Sequence, residues 1–192
     1  VERKFGKYLL VVALGSMFHI SAMVLILLYF VPRKNLSLVR VFALAGVALL
    51  ASYGYEFAAS AISLIQGEEF TGTAYFSRQI SPLRIAVAFV PFVSFYLFAQ
   101  KEKLSERSFF YINMSLIFAV LYLAASGSAH LARFAIYAQP FLALAVPAII
   151  HVVGPKTRPI LTYSLIGMYF VFWYIGVSGA PALNPFVWRS FE

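Results

Sequence analysis

The sequence predicts an all-α, polytopic integral membrane helical bundle of five or six membrane-embedded segments, the first of them re-entrant or broken. Three observations predict it. Of the 192 residues, 62% are hydrophobic and 11% charged, with a mean hydropathy of +0.85, proportions foreign to disordered chains and to ordinary soluble domains. The apolar residues gather in six runs, each near the roughly 20 residues that carry a helix across about 30 Å of hydrocarbon. None of the runs alternates apolar and polar residues as membrane barrel strands do, and in lipid only helices and closed barrels satisfy their own backbone. A single transmembrane bundle over residues 1–192 is therefore expected.

The first run, from about Tyr8 to Val31, is interrupted at its centre by Gly15-Ser16-Met17-Phe18-His19-Ile20-Ser21. Small and polar residues there predict a broken or re-entrant helix, while a straight span with His19 and Ser21 bonded to neighbouring helices is the competing reading. The second run, Leu38 to Ile65, carries Glu56. Runs follow at Leu83 to Ala99, Phe109 to Ala125, Phe134 to Val153 and Ile160 to Val177. Pro91, Pro140 and Pro147 lie inside them and predict kinks.

Orientation depends on that first run. If all six cross, the 15 Lys and Arg divide into eight against seven, which decides nothing. If the first run enters and leaves on one side, Arg3, Lys4 and Lys7 join Arg33, Lys34, Arg40, Lys101, Lys103, Arg107, Lys156 and Arg158, giving eleven inside against four outside. That is the bias expected of a cytoplasmic face.

The ionisable residues exclude several chemistries. All seven acids are Glu, so clusters built on Asp are absent. His19, His130 and His151 lack helical metal-ligand spacing, which argues against a metal site made by this chain, and without Cys there is neither a disulfide nor a thiol nucleophile. No cofactor is expected. The formal charge of +8 in so apolar a chain reads as cytoplasmic anchoring and contact with anionic membrane lipids, with no nucleic acid as partner. The chain opens on Val1-Glu2-Arg3-Lys4 without a signal peptide. It is expected to be processed, or to be the C-terminal part of a longer polytopic protein.

The four outer cations, Arg78, Arg84, Arg133 and Arg189, are all arginine, whereas lysine falls only inside. Guanidinium is permanently charged and donates in a planar fork that suits phosphate and pyrophosphate. Around these arginines the same face collects Tyr75, His130, Tyr137 and Trp188, with Tyr137 one helical turn beyond Arg133 at the expected start of a helix. Glu56, near the outer interface, is a candidate general base or a counter-ion to Arg78 or Arg84. His130 is a candidate proton relay. Headgroup contact or pairing with Glu68 and Glu69 accounts equally well for any single outer arginine.

Three motifs in order carry a family resemblance: Phe18-His19-Ile20-Ser21-Ala22 with the later Pro32-Arg33-Lys34, Leu83-Arg84 through Pro91, and Ala132-Arg133-Phe134-Ala135-Ile136-Tyr137 running to Pro147. From about Phe5 to Val153 the chain resembles the second half of an EpsG-type, Wzy-like polysaccharide polymerase. The resemblance implies a multi-pass protein of the bacterial inner membrane that joins oligosaccharide repeat units carried on undecaprenyl pyrophosphate at the outer face, without a metal. It implies an FHxSA-like site at His19, Ser21 and Ala22 and an arginine-tyrosine site at Arg133 and Tyr137. Ala138 stands where the family commonly has an aromatic. The implied partners are the undecaprenyl-pyrophosphate-linked glycan, membrane lipids and a chain-length regulator protein. Catalysis is assigned to Arg133, Arg84 and Glu56, and substrate binding to Arg78, Tyr137, His130, Tyr75, His19, Arg189 and Trp188. A transporter or flippase of a lipid-linked or anionic solute would use the same broken helix and arginines without chemistry.

Overall fold

The computed structural model describes residues 4–66, 80–126 and 129–178; at positions 20, 21, 55, 56, 58–66 and 129–131 only the backbone is described. The described elements are α-helices and short 3₁₀ turns. They fall into two compact units, Val1–Val152 and Val153–Glu192.

The first apolar run is broken. Helix α1 (Phe5–Phe18) stops at His19, whose backbone is extended, and the chain continues through a 3₁₀ turn (Ile20–Val24) into α2 (Leu25–Leu28). At 14 residues α1 is about 21 Å long, short of the roughly 30 Å of a bilayer core. Ser16 bonds back to the Ala13 carbonyl at 2.7 Å, a local pairing that competes with helix continuation beside Gly15. The chain then folds back. The Phe5 ring lies 4.9 Å from Tyr29 and 6.0 Å from Phe30, Tyr8 lies 5.2 Å from Tyr29, and the Tyr8 hydroxyl donates to the Leu25 carbonyl. Both ends of this hairpin therefore sit together, with His19 at its tip.

After Val31 and Pro32, α3 (Leu38–Gln66) runs for 29 residues. Helix α4 (Pro82–Phe98) starts with Ser81 as its N-cap and Pro82 in the first turn, where a missing N–H costs nothing. Pro91 is buried inside α4 without ending it. A 3₁₀ turn (Lys101–Lys103) leads to α5 (Glu106–Ala124), whose N-cap Ser105 accepts from the Ser108 N–H at 3.1 Å. The two helices form an antiparallel hairpin, with Phe95 and Phe109 rings 6.2 Å apart near its turn.

Helix α5 is the hub. It packs against α3, α4, α6 (Ala129–Ala135) and α7 (Leu142–Val152). Small residues bring these helices close: Met114, Phe118 and Ala119 of α5 share one core with Ala88, Ala135, Ala138 and Val31. Close approach over small side chains is how helices associate when lipid removes the hydrophobic drive between them. Ala119 is fully buried, so Ala119→Leu should overpack the hub and cost about 1–3 kcal/mol. Thermal unfolding in mild detergent measures this; unchanged melting would contradict the packing.

The run from Phe134 to Val153 is divided rather than kinked. Helix α6 ends at Ala135, a 3₁₀ turn (Gln139–Phe141) follows, and α7 begins at Leu142. Pro140 explains the break, since it lacks a backbone donor and its ring would clash with the Ile136 carbonyl four residues back in a continuous α-helix. Pro147, by contrast, is accommodated within α7. The end of α7 is tied to the α4–α5 turn by a bond from the Gln100 N–H to the Val152 carbonyl at 3.2 Å.

The second unit contains α8 (Thr157–Ser178), begun by bonds from Thr157 and Arg158 N–H groups to the Gly154 carbonyl. By length and composition, α5 and α8 are the two described helices able to cross a membrane on their own. The apolar stretches Phe5–Phe18, Leu38–Gly54, Pro82–Phe98 and Gln139–Val152 are shorter. The fold is thus all-α with two candidate spans.

Candidate functional site

The two ends of α5 carry different cations. Its N-terminal half lies among lysines and arginines: Lys101 and Lys103 fill the preceding turn, Arg107 is in the first turn, and the Arg33 guanidinium sits 5.8 Å from the Phe110 ring. The Lys101 ammonium lies 4.0 Å from the Tyr96 ring centre, a cation–π contact. Buried Asn113, 1% exposed, reaches across from α5 and donates to the Pro32 and Lys34 carbonyls at 2.8 and 2.9 Å. That amide fixes the segment between α2 and α3 against the hub.

The C-terminal end of α5 gathers the arginine-bearing elements. Because α4 runs antiparallel to α5, its first turn, with Arg84, lies at this end. Helix α6 follows α5 directly and folds back along it, placing buried Ala135 and Ala138 against Phe118. Exposed Arg133 and half-buried Tyr137 flank those alanines in sequence. The middle of α3 arrives here too, through a 3.1 Å hydrogen bond between Ser52 and Ser126 hydroxyls. Glu56 follows Ser52 by four residues, so its backbone lies one turn further along the same face of α3.

Helix dipoles act on the two arginines in opposite directions. Arg84 is exposed in the first turn of α4, where no acidic residue stands and the dipole's positive end disfavours a cation. Arg133 lies in the last turn of α6, where the negative end favours it. The expected helix start at Arg133 is thus a helix end: α6 stops at Ala135, and Tyr137 lies in the turn beyond instead of one helical turn along. The cause is again Pro140, which closes the helical path three residues after Tyr137.

The expected site residues are placed unevenly. Arg84, Arg133 and Tyr137 belong to the elements at the C-terminal end of α5. His19 is exposed at the tip of the first hairpin, its N–H bonded to the Gly15 carbonyl and its own carbonyl accepting from Ala22. Glu56 and His130 have described backbones, in α3 and in the first turn of α6, but their side chains lie outside the described residues. Arg78, Tyr75, Trp188 and Arg189 also lie outside the described residues. Among the described residues, no group of three or more His, Cys, Asp or Glu could hold a metal ion. Sequence reasoning passed over Asn113 and the Ser52–Ser126 pair; an amide inside an apolar run was the signal for the first, since it must find a partner.

The EpsG family profile matches residues 1–188. The chain belongs to the EpsG family. No curated protein and no solved structure gives a significant match to it. In this EpsG-family chain, a cation held against the α4 dipole makes a distinctive prediction. Arg84→Gln should leave stability unchanged or raise it by roughly 0.3–1 kcal/mol. Thermal melting in mild detergent tests this; a clear loss of stability would contradict the placement of Arg84 at the positive end of the α4 dipole.

Proposed function

We propose that this EpsG-family chain is a multi-pass inner-membrane protein that joins undecaprenyl-pyrophosphate-linked oligosaccharide repeat units at the non-cytosolic face. The observation that carries the reading is the pairing of Arg84 and Arg133 on elements at one end of α5, with the lysines grouped around its other half. The folded-back first hairpin supports the same orientation, since entry and exit on one side yields the eleven-to-four charge bias.

In this reading the growing glycan on its lipid pyrophosphate is the donor. A hydroxyl of the incoming repeat unit attacks the anomeric carbon, the bond from that carbon to the pyrophosphate oxygen breaks with its electron pair, and the lipid pyrophosphate leaves. The hydroxyl proton passes to a base, for which Glu56 is the candidate. Arg133 holds the pyrophosphate and Arg84 and Arg78 assist, neutralising the charge that grows on the leaving group. Tyr137 and His130 orient the substrate, Tyr75 offers a stacking surface to the sugars, and His19 completes the binding set.

Purified protein in proteoliposomes tests the proposal: lipid-linked repeat units should be converted to longer polymer with release of the lipid pyrophosphate. Movement of the lipid-linked units across the bilayer with no increase in glycan length would replace the polymerase with a flippase.

A further inference from the structure

Helices α3 and α5 run in the same direction where they meet, since Asn113 reaches Lys34 just before α3 begins and Ser126, beyond the end of α5, reaches Ser52. Between them and α2 lies a cavity of about 470 Å³. Its lining is sorted by depth. Arg40, in the first turn of α3, and Asn113 of α5 stand at one end and are its two polar lining residues among the described residues. Leu44, Val47 and Ile117 lie about 6–10 Å further along the same two helices, and Leu27 of α2 completes the apolar wall.

Each polar residue offers a group to a ligand. The first turn of α3 contains no acidic residue, so the positive end of its dipole and the Arg40 guanidinium act together on an anion. Asn113 is 1% exposed, and its amide nitrogen directs both protons to the Pro32 and Lys34 carbonyls, which leaves Oδ1 accepting from none of the described residues. That oxygen is not sealed in: among the described residues, the fully buried side-chain polar atom without a partner is the Tyr169 hydroxyl. An unpartnered Oδ1 outside that class opens onto the cavity that Asn113 lines.

We infer that this cavity binds an anionic phospholipid with a hydroxylated headgroup. Arg40 and the first turn of α3 hold the phosphate, Asn113 Oδ1 accepts from a headgroup hydroxyl, and one acyl chain lies along Leu27, Leu44, Val47 and Ile117. The inference rests on the chain being membrane-embedded but not on its being a polymerase. Moving an acyl chain from bilayer to apolar cavity exchanges one hydrocarbon environment for another and supplies little selectivity. Discrimination therefore comes from the polar end, where a cation meets the phosphate and a buried acceptor meets a donor. Free phosphate would leave the hydrocarbon walls unfilled, so the occupant is the lipid and not the inorganic ion.

Native mass spectrometry of the full chain, released from mild detergent with one lipid added at a time, reads the site without any polymerisation assay. Phosphatidylglycerol should be retained at roughly tenfold lower concentration than phosphatidylcholine. Phosphatidylpropanol, which keeps the charge but lacks the headgroup hydroxyls, should bind about fivefold more weakly than phosphatidylglycerol; this removes the hydroxyl from the ligand and leaves the Asn113 anchor untouched. Arg40 is exposed, and Arg40→Gln should abolish the preference over phosphatidylcholine, whereas Lys103→Gln, on the same basic side but outside the lining, should preserve it. Ala43→Trp, which fills the cavity from an exposed wall position and keeps both polar residues, should weaken retention of all three lipids. Equal retention of phosphatidylglycerol and phosphatidylcholine or of phosphatidylglycerol and phosphatidylpropanol by the wild type, a preference that survives Arg40→Gln or disappears with Lys103→Gln, full retention by Ala43→Trp, or displacement of the lipid by millimolar inorganic phosphate would each overturn the proposal.

Discussion

Arg133→Ala is expected to lower polymer formation in proteoliposomes by about 100-fold, the scale on which removing one preorganised donor from a developing negative charge slows an enzyme. The Arg133 side chain is exposed, so its loss should cost stability no more than about 1 kcal/mol, the scale of a surface contact and of the helix-end dipole. Arg133→Lys should recover activity only in part, because an ammonium restores the charge but not the planar fork that meets two phosphate oxygens at once. The ordering wild type, then Lys, then Ala, with all three proteins folded at the assay temperature, is the signature of pyrophosphate recognition. Equal chain growth in all three proteins would remove Arg133 from the site.

The second large effect concerns Asn113. Its side-chain amide is buried in α5 and donates to two carbonyls, those of Pro32 and Lys34. Asn113→Leu removes the donor from both carbonyls and puts a bulkier side chain into a buried position, at about 1–3 kcal/mol in all. Asn113→Asp should be worse, even though it is nearly isosteric: an ionised carboxylate only accepts, so it would face two carbonyl oxygens with a buried negative charge. Protonation would relieve the charge but furnish one donor where two are used. The expected order of thermal stability in detergent is therefore wild type, Leu, Asp. An Asp variant that melts with the wild type would contradict the donor geometry, and with it the anchoring of the segment between α2 and α3.

Much of this architecture was legible because long apolar runs leave few ways to satisfy a backbone. A chain that must satisfy its backbone internally becomes helical wherever it is apolar, and the runs beginning at Leu38, Leu83, Phe109 and Ile160 became α3, α4, α5 and α8 with ends displaced by a few residues. The weak centre of the first run was legible as well, since Gly15, Ser16 and His19 offer little to a continuous helix. The division at Pro140 was not, because a proline inside an apolar run is compatible with a kink or with a break. Pro91 and Pro140 received different outcomes from their surroundings: Pro91 is buried in an otherwise uninterrupted helix, whereas Pro140 follows a turn that places Ala135 and Ala138 in the core.

Charge type, more than geometry, singled out the candidate site residues. Arginine without lysine marked Arg84 and Arg133 as a set, and antiparallel packing of α4 on α5 brings their elements to one end. Their unequal electrostatic settings could not be read in advance, since they depend on where α6 stops. Asn113 escaped notice because a buried amide that serves packing bears no charge and matches no motif.

Side-specific labelling tests the central claim most directly, and the natural absence of cysteine makes single-cysteine variants clean probes. In intact cells, a membrane-impermeant maleimide should modify Arg84→Cys and Arg133→Cys from outside and should reach Lys34→Cys and Lys103→Cys only after the membrane is opened. Modification of Arg84→Cys or Arg133→Cys only from the cytosolic side would place the arginines on the wrong face for a lipid-pyrophosphate donor and contradict the account.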